Sequence, residues 1–330
     1  MTKEKETQEI VALEIKSILN FVDDLAIDCD SEKHIYPTKS MIKLYLYMLI
    51  KQITGFKTMA KQLAIKPELV TLLGLPRCPH RTTISDRFKA LPLLLREQIR
   101  DLHKQFVEED VTLADAMSVD SSLMQAQGNV WHKKQRDKGE LPNCGNVDTD
   151  AHWGVSGCGD WVYGYRVHCL LSSPSKAALP FDVEVAPANV KDYEIFKEKL
   201  GNELPKATKV IFGDTGFDEQ ACYELCDQQG ISLITPIKAK KHTPEHRRER
   251  TVLYNDPEVR EAFTLRKTTV EPFQGQLKYL FNLEQLRVKG IRNVRPLVLL
   301  AVLTYLLLAK LNLALGLDIL KLQDTLLAIR

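Results

Sequence analysis

The sequence predicts an α/β domain, a mixed sheet flanked by helices, preceded by an all-helical region. Three observations predict it. Apolar residues recur at helical spacing through the first 110 residues. From about residue 111 the pattern changes to short β-branched and aromatic runs that alternate with helical ones. The order of those runs is three strands, then helix, strand, helix, strand and helix. At 330 residues the chain can bury a large core, and the change of pattern divides it into regions 1–110 and 111–330.

Taken in order, the helical spacing runs through Val11, Ile15, Ile18, Val22 and Leu25, then from Met41 to Ile53 and from Met59 to Leu63. Pro76 and Pro79 punctuate a loop before HRTTISDRFKAL, where Thr82 or Thr83 is placed to cap a short helix reaching Leu91. Short helices joined by a turn suit either plain helical packing or a DNA-reading unit. In the second region the strand candidates are Thr112–Val119, Trp161–Leu171, Phe181–Val185, Lys209–Phe212 and Ser232–Ile237. Helices are expected over Tyr193–Leu200 and Glu219–Gln229, closed by Gly201 and Gly230. Proline disfavours helical geometry in the residue before it, so Glu271 is expected to cap a helix running from Pro272 to about Asn282. Seven residues make nearly two turns, which puts Lys278 on the face of Glu271.

The net charge of +2 hides segregation. The first 33 residues hold four lysines against nine acids, whereas Lys238–Arg250 holds six Lys and Arg against two Glu. Lys133, Lys134, Arg136 and Lys138 outweigh Asp137 in the polar stretch 131–150, and Lys240, Lys241, Arg247 and Arg248 fall in a short basic segment, 239–263. Such blocks suit a polyanionic substrate, or form solvated faces. The seven cysteines show no paired zinc-like spacing and read as reduced core thiols. MTKEKETQEI lacks a secretory apolar stretch, so a cytoplasmic protein is expected. Pro296–Leu317 approaches the roughly 20 apolar residues of a membrane span. Lys310 and Asn312 interrupt it, however, and it reads as a buried core helix rather than a membrane segment. Trp131, Trp153 and Trp161 are read as core aromatics in preference to groups that stack on a flipped base, and His132, His152 and His168 are given no role.

Three acids then command attention: Asp120 in SVDSS, Asp214 in IFGDTG and Glu271 in VEPFQGQLK. Each has an ordinary reading, two as turn residues and one as a helix start. The two aspartates, however, follow apolar strand-like runs, and carboxylates so placed are suited to gather around a divalent metal.

These residues carry a resemblance to the catalytic core of the DDE transposases of bacterial insertion sequences. In that family's signature Tyr is followed by Arg, then Glu, then Lys. Here Glu271 and Lys278 match, Lys267 takes the Arg position and Thr264 stands where Tyr would be. VDSSLMQAQG, DAHWG, WVYGYRVH and GDTGFD are similar to family segments in the same order, so that the resemblance covers roughly 110–315.

The resemblance implies a ribonuclease H-like fold in which the strands bearing Asp120 and Asp214 lie side by side. It implies that Asp120, Asp214 and Glu271 are both the catalytic acids and the ligands of two Mg²⁺ ions, with Mn²⁺ able to substitute. Lys267 and Lys278 would contact DNA phosphates, assisted by Lys133, Lys134, Arg136, Lys240, Lys241, Arg247 and Arg248. The partners implied are double-stranded DNA, as element terminal repeats and as target, and a second copy of the chain in a dimer or larger synaptic assembly. The expected place is the cytoplasm, at the nucleoid. A ribonuclease H-like nuclease that cuts without joining, and an inactive DNA-binding derivative, are the alternatives.

Overall fold

The computed structural model describes residues 15–28, 30, 35–140, 142, 145–172, 176–237, 250 and 252–330, without the side chains of Leu265 and Lys267. They form two compact units. One comprises the described residues up to Gln98 together with Arg295–Arg330, the other Ile99–Val294.

The first unit is helical: α1 (Ile15–Asn20), α2 (Thr38–Ile50), α3 (Phe56–Ile65), α4 (Pro67–Leu72) and α5 (Arg81–Lys89), followed by the start of α6 (Pro92–Glu108). Helix α2 buries most of its length. Within it the Tyr45 hydroxyl donates to the Ile84 carbonyl at 2.6 Å while its ring packs on Phe88, which ties α2 to α5. The cap of α5 is His80 rather than either threonine: its Nδ1 accepts from the Thr82 N–H, because the helix already begins at Arg81. Among the described cysteines, Cys169, Cys222 and Cys226 are buried thiols, as expected, whereas Cys78 and Cys158 are exposed.

The second unit holds the sheet: β1 (Ala116–Gln125), β2 (His152–Val155), β3 (Trp161–Ser172), β4 (Pro180–Pro187), β5 (Val210–Phe212) and β6 (Ser232–Ile234). Strand β3 pairs antiparallel with β1 along one edge. Along the other it pairs with β2 and then β4, laid end to end. Strand β5 runs parallel to β1, and β6 parallel to β5. Three long antiparallel strands continued by two short parallel ones give the ribonuclease H-like arrangement, a mixed sheet flanked by helices. Met117, Val119, Leu170 and Ile211 of the sheet pack with Phe196, Phe217, Cys222 and Cys226 from the covering segments. Each buried side chain of this size contributes about 1.5–3 kcal/mol.

The remaining elements are α7 (Lys133–Asp137), α8 (Asp192–Ile195) continued by a π-turn over Phe196–Leu200, α9 (Gln220–Asp227), α10 (Pro257–Leu265), a 3₁₀ turn over Arg266–Thr268, α11 (Val270–Phe281), α12 (Ile291–Ala314) and α13 (Leu322–Ile329). Helix α12 is long and apolar enough to cross a membrane, yet 78% of its most apolar stretch is buried within the protein, as in a core helix.

Several elements differ from expectation for identifiable reasons. Strand β1 does not stop at Val119. Its ladder with β3 runs from Met117 to Gln125, so Asp120 sits mid-strand. Ser121 and Ser122 hide this from a hydropathy reading because they occupy only partly covered positions. Helix α11 begins at Val270, so Glu271 lies inside its first turn and not at its cap, which is Thr269. Pro272 is accommodated because N–H groups in the first turn have no intrahelical partner to lose. The polar stretch 131–150 contains α7. Of the basic segment 239–263, residues 239–249 and 251 lie outside the described residues. Residues 252–255 are helical, and after a break at Asp256 the chain enters α10, where the Asp256 carboxylate accepts from the Glu258 and Val259 N–H groups and Pro257 occupies the first helical position. Trp161 is 68% exposed, contrary to a core role.

Candidate active site

The parallel pairing of β1 and β5 positions the two aspartates. Its last rung is Ser118 opposite Phe212, and Asp120 and Asp214 each follow that rung by two residues. Both carboxylates are anchored by backbone. Asp120 Oδ1 accepts from the Ser121 N–H at 2.8 Å, and Asp214 Oδ1 accepts from the Gly216 N–H at 2.7 Å, capping the turn Thr215–Phe217.

Burial governs their electrostatics. It pushes the Asp120 carboxyl up to about 6, a rise to which the Asp214 and Asp192 charges add, while the Arg266 guanidinium and the Ser121 N–H oppose it. Arg266 sits with Nη1 3.1 Å from Asp120 Oδ2 and is itself almost buried. Burial also raises Asp214, with Asp192 adding repulsion against the pull of the Gly216 N–H, Arg266 and Arg166.

Asp192 opens α8 beside this pair. Burial pushes its carboxyl up, but His168, Ser121 and Arg166 outweigh that and hold it below the ordinary range. His168 Nδ1 lies 3.2 Å from Asp192 Oδ1 and Arg166 Nη1 lies 3.5 Å from Oδ2. Gly216 lets Asp192 and Asp214 approach: a Cβ there would stand 2.7 Å from Asp192 Oδ2 and 2.8 Å from Asp214 Oδ1.

The other expected site residues fall in different surroundings. Glu271 is exposed in the first turn of α11, a helix that packs against β1. Among the described residues no group of three or more His, Cys, Asp and Glu is spaced to hold a metal ion. Lys278 pairs with Glu284 at 3.1 Å and lines a groove of about 460 Å³ with Ser121, Ser122 and Arg166. Lys267 belongs to the 3₁₀ turn after α10. Lys133 and Lys134 are exposed on α7. Arg136 is engaged within its own loop, donating to the carbonyls of Ala151 and Thr149 and lying over the Trp131 ring. Lys240, Lys241, Arg247 and Arg248 lie outside the described residues.

Four residues at the site escaped the sequence reading: Arg266, Asp192, Arg166 and His168. A signal existed for two of them, since Arg166 and His168 are two apart on a strand and therefore share a face. Arg266 is immediately next to the lysine chosen as the basic partner. Asp192, in ANVKD, had no such signal.

Asp120 and Asp214 are hard oxygen donors held close to a third negative charge in a setting that resists their ionisation. That is the environment a divalent cation relieves, so the pair fits an oxygen-ligated metal in donor chemistry.

The family described as "Transposase DDE domain" matches over residues 112–307. That span contains β1 through β6, both aspartates, Asp192 and Glu271. Among solved structures, a piggyBac transposase synaptic complex with hairpin DNA aligns at 10% identity and a TM-score of 0.41, covering 96% of this chain and 76% of that chain. Curated protein sequences give no match.

Proposed function

From the premise that this chain belongs to the transposase DDE-domain family, we propose that it cuts DNA at the ends of a bacterial insertion sequence in a metal-dependent reaction and joins those ends to target DNA. The observation that carries this reading is the carboxylate pair Asp120 and Asp214, set two residues beyond the last rung of adjacent parallel strands within the matched span.

The family generally uses divalent metal ions. In this reading Asp120 and Asp214 would hold Mg²⁺, with Mn²⁺ able to replace it, and Glu271 from α11 would be the third acid. Bound metal supplies charge that activates a water and stabilises the entering and leaving oxygens at a phosphodiester. The protein supplies the rest. Asp120 must lose its proton to serve, and Arg266 favours that loss. Asp214 is fixed in place by the Gly216 N–H. Lys278 faces the groove beside Ser121, where it can neutralise a phosphate, and Lys267, Lys133 and Lys134 extend basic charge along the chain. The substrate is double-stranded DNA, as terminal repeat and as target. Holding two ends together calls for a dimer or larger assembly, working in the cytoplasm at the nucleoid.

The test is the fate of a labelled duplex carrying the DNA that flanks the coding region, incubated with Mg²⁺. Joined product is the expected result. Cutting without joining would identify a nuclease, and binding without cutting would identify an inactive DNA-binding derivative.

A further inference from the structure

Arg166 is the one site cation that the proposed chemistry has not used. It projects from β3 and spans two grooves, one of about 460 Å³ shared with Ser121 and Lys278, the other of about 470 Å³ shared with Asp192 and Gly216. Its Nη1 donates to Ser121 Oγ at 3.1 Å and to Asp192 Oδ2 at 3.5 Å, while Nη2 donates to the Val155 carbonyl at 3.3 Å. Ser121 follows Asp120 on β1 and so points to the opposite face of the sheet, where His168 is its ladder partner, and the guanidinium lies on that face.

Asp192 is held from both sides. Its Oδ1 lies against Nδ1 of His168, a ring fully buried in the sheet, and its Oδ2 against Arg166. Oδ1 makes no hydrogen bond to the ring, whereas Oδ2 accepts from Arg166 Nη1, which places this carboxylate to orient the guanidinium. An arginine binds phosphate through a planar fork whose orientation must be set in advance, and a carboxylate behind the fork sets it.

We propose that Asp192 is a positioning residue that holds Arg166 in the groove it shares with Ser121 and Lys278, and that Arg166 is the group that receives a DNA phosphate there. This rests on the reading of DNA as substrate. It also makes a prediction whose sign is opposite to simple electrostatics. Removing an acid from a surface that binds a polyanion ordinarily tightens binding. Here Asp192→Asn weakens it, because Arg166 loses its clamp.

The experiment measures binding of a fluorescein-labelled random-sequence duplex as a function of salt, in EDTA so that no cleavage intervenes. For Arg166→Gln the slope of log affinity against log salt falls by about one, the signature of one lost phosphate contact. Affinity at fixed salt falls about tenfold, as expected for one charge-assisted hydrogen bond. Asp192→Asn gives the same losses, and the double variant is no worse than Arg166→Gln alone. Arg166→Gln leaves the Asp192 backbone intact and supplies the slope readout even where Asp192→Asn does not fold. Binding by Asp192→Asn that equals or exceeds wild type overturns the positioning role. An unchanged slope in Arg166→Gln overturns the phosphate contact. Absence of DNA binding by the wild type overturns the substrate reading itself and, with it, this inference.

Discussion

Arg266 places Nη1 3.1 Å from Oδ2 of Asp120, so that the acid of the central strand is paired with the cation that directly precedes the helix of Glu271. The guanidinium is the largest influence opposing the burial that raises Asp120. Replacing Arg266 with glutamine therefore moves the Asp120 carboxyl above its present value of about 6. The pH profile of metal-dependent cleavage shifts to higher pH, with less activity retained near neutrality. A profile that stays in place would show that Asp120 ionisation does not gate the reaction.

The same carboxyl gives stability a definite pH dependence. Its folded value, about 6, exceeds the ordinary 3.8. The folded state therefore binds the proton more tightly, and Asp120 contributes stability that is fully present below about pH 4 and lost as pH rises through about 6. The shift corresponds to roughly 2–3 kcal/mol. Asp192 behaves oppositely, since its lowered value gives stability that is present at neutral pH and lost in acid. Denaturant melts between pH 5 and pH 7.5 should show a decline in the wild type that Asp120→Asn reduces.

Gly216 is expected to be intolerant of any side chain. A methyl group would stand 2.7 Å from Asp192 Oδ2 and 2.8 Å from Asp214 Oδ1, forcing both acids to move. Both atoms are side-chain ends, so their displacement costs the fold little. Gly216→Ala should therefore fold, as judged by its far-ultraviolet dichroism, yet lose most metal-dependent cleavage. Full activity in that variant would mean that the positions of these two carboxylates do not matter.

Much of the fold was legible because periodicity reports burial. The apolar alternation marked β3, β4, β5 and β6 to within a few residues, and helical spacing marked α2 and α3. The failures share a cause. Ser121 and Ser122 look like a turn only to a reading that cannot see β3 alongside them, and β2 is too short to announce itself. The pairing of Asp120 with Asp214 was foreseen from the strand order the resemblance implied. The network of Asp192, His168 and Arg166 was not, because it joins the start of a helix to a strand through side chains that no spacing rule connects. Glu271 was recognised by its neighbours in sequence, and its exposed place on α11 follows from a helix start that Pro272 concealed.

Gly164 tests the long ladder directly. A Cβ at this position would lie 1.9 Å from the Met124 carbonyl oxygen, which is backbone and cannot swing aside. Gly164→Ala should destabilise the protein by about 3 kcal/mol or more, read as a lower midpoint in urea. An unchanged midpoint would contradict the β1–β3 register.

The most direct measurement of the central claim compares wild type, Asp120→Asn and Asp214→Ala for Mg²⁺-dependent cleavage of the same labelled duplex, with DNA binding recorded in parallel. Both substitutions should abolish cleavage while leaving binding nearly intact, because each removes a carboxylate at the acid pair and neither removes a phosphate contact. Cleavage that persists in either variant would contradict the assignment of these two aspartates as the reactive centre.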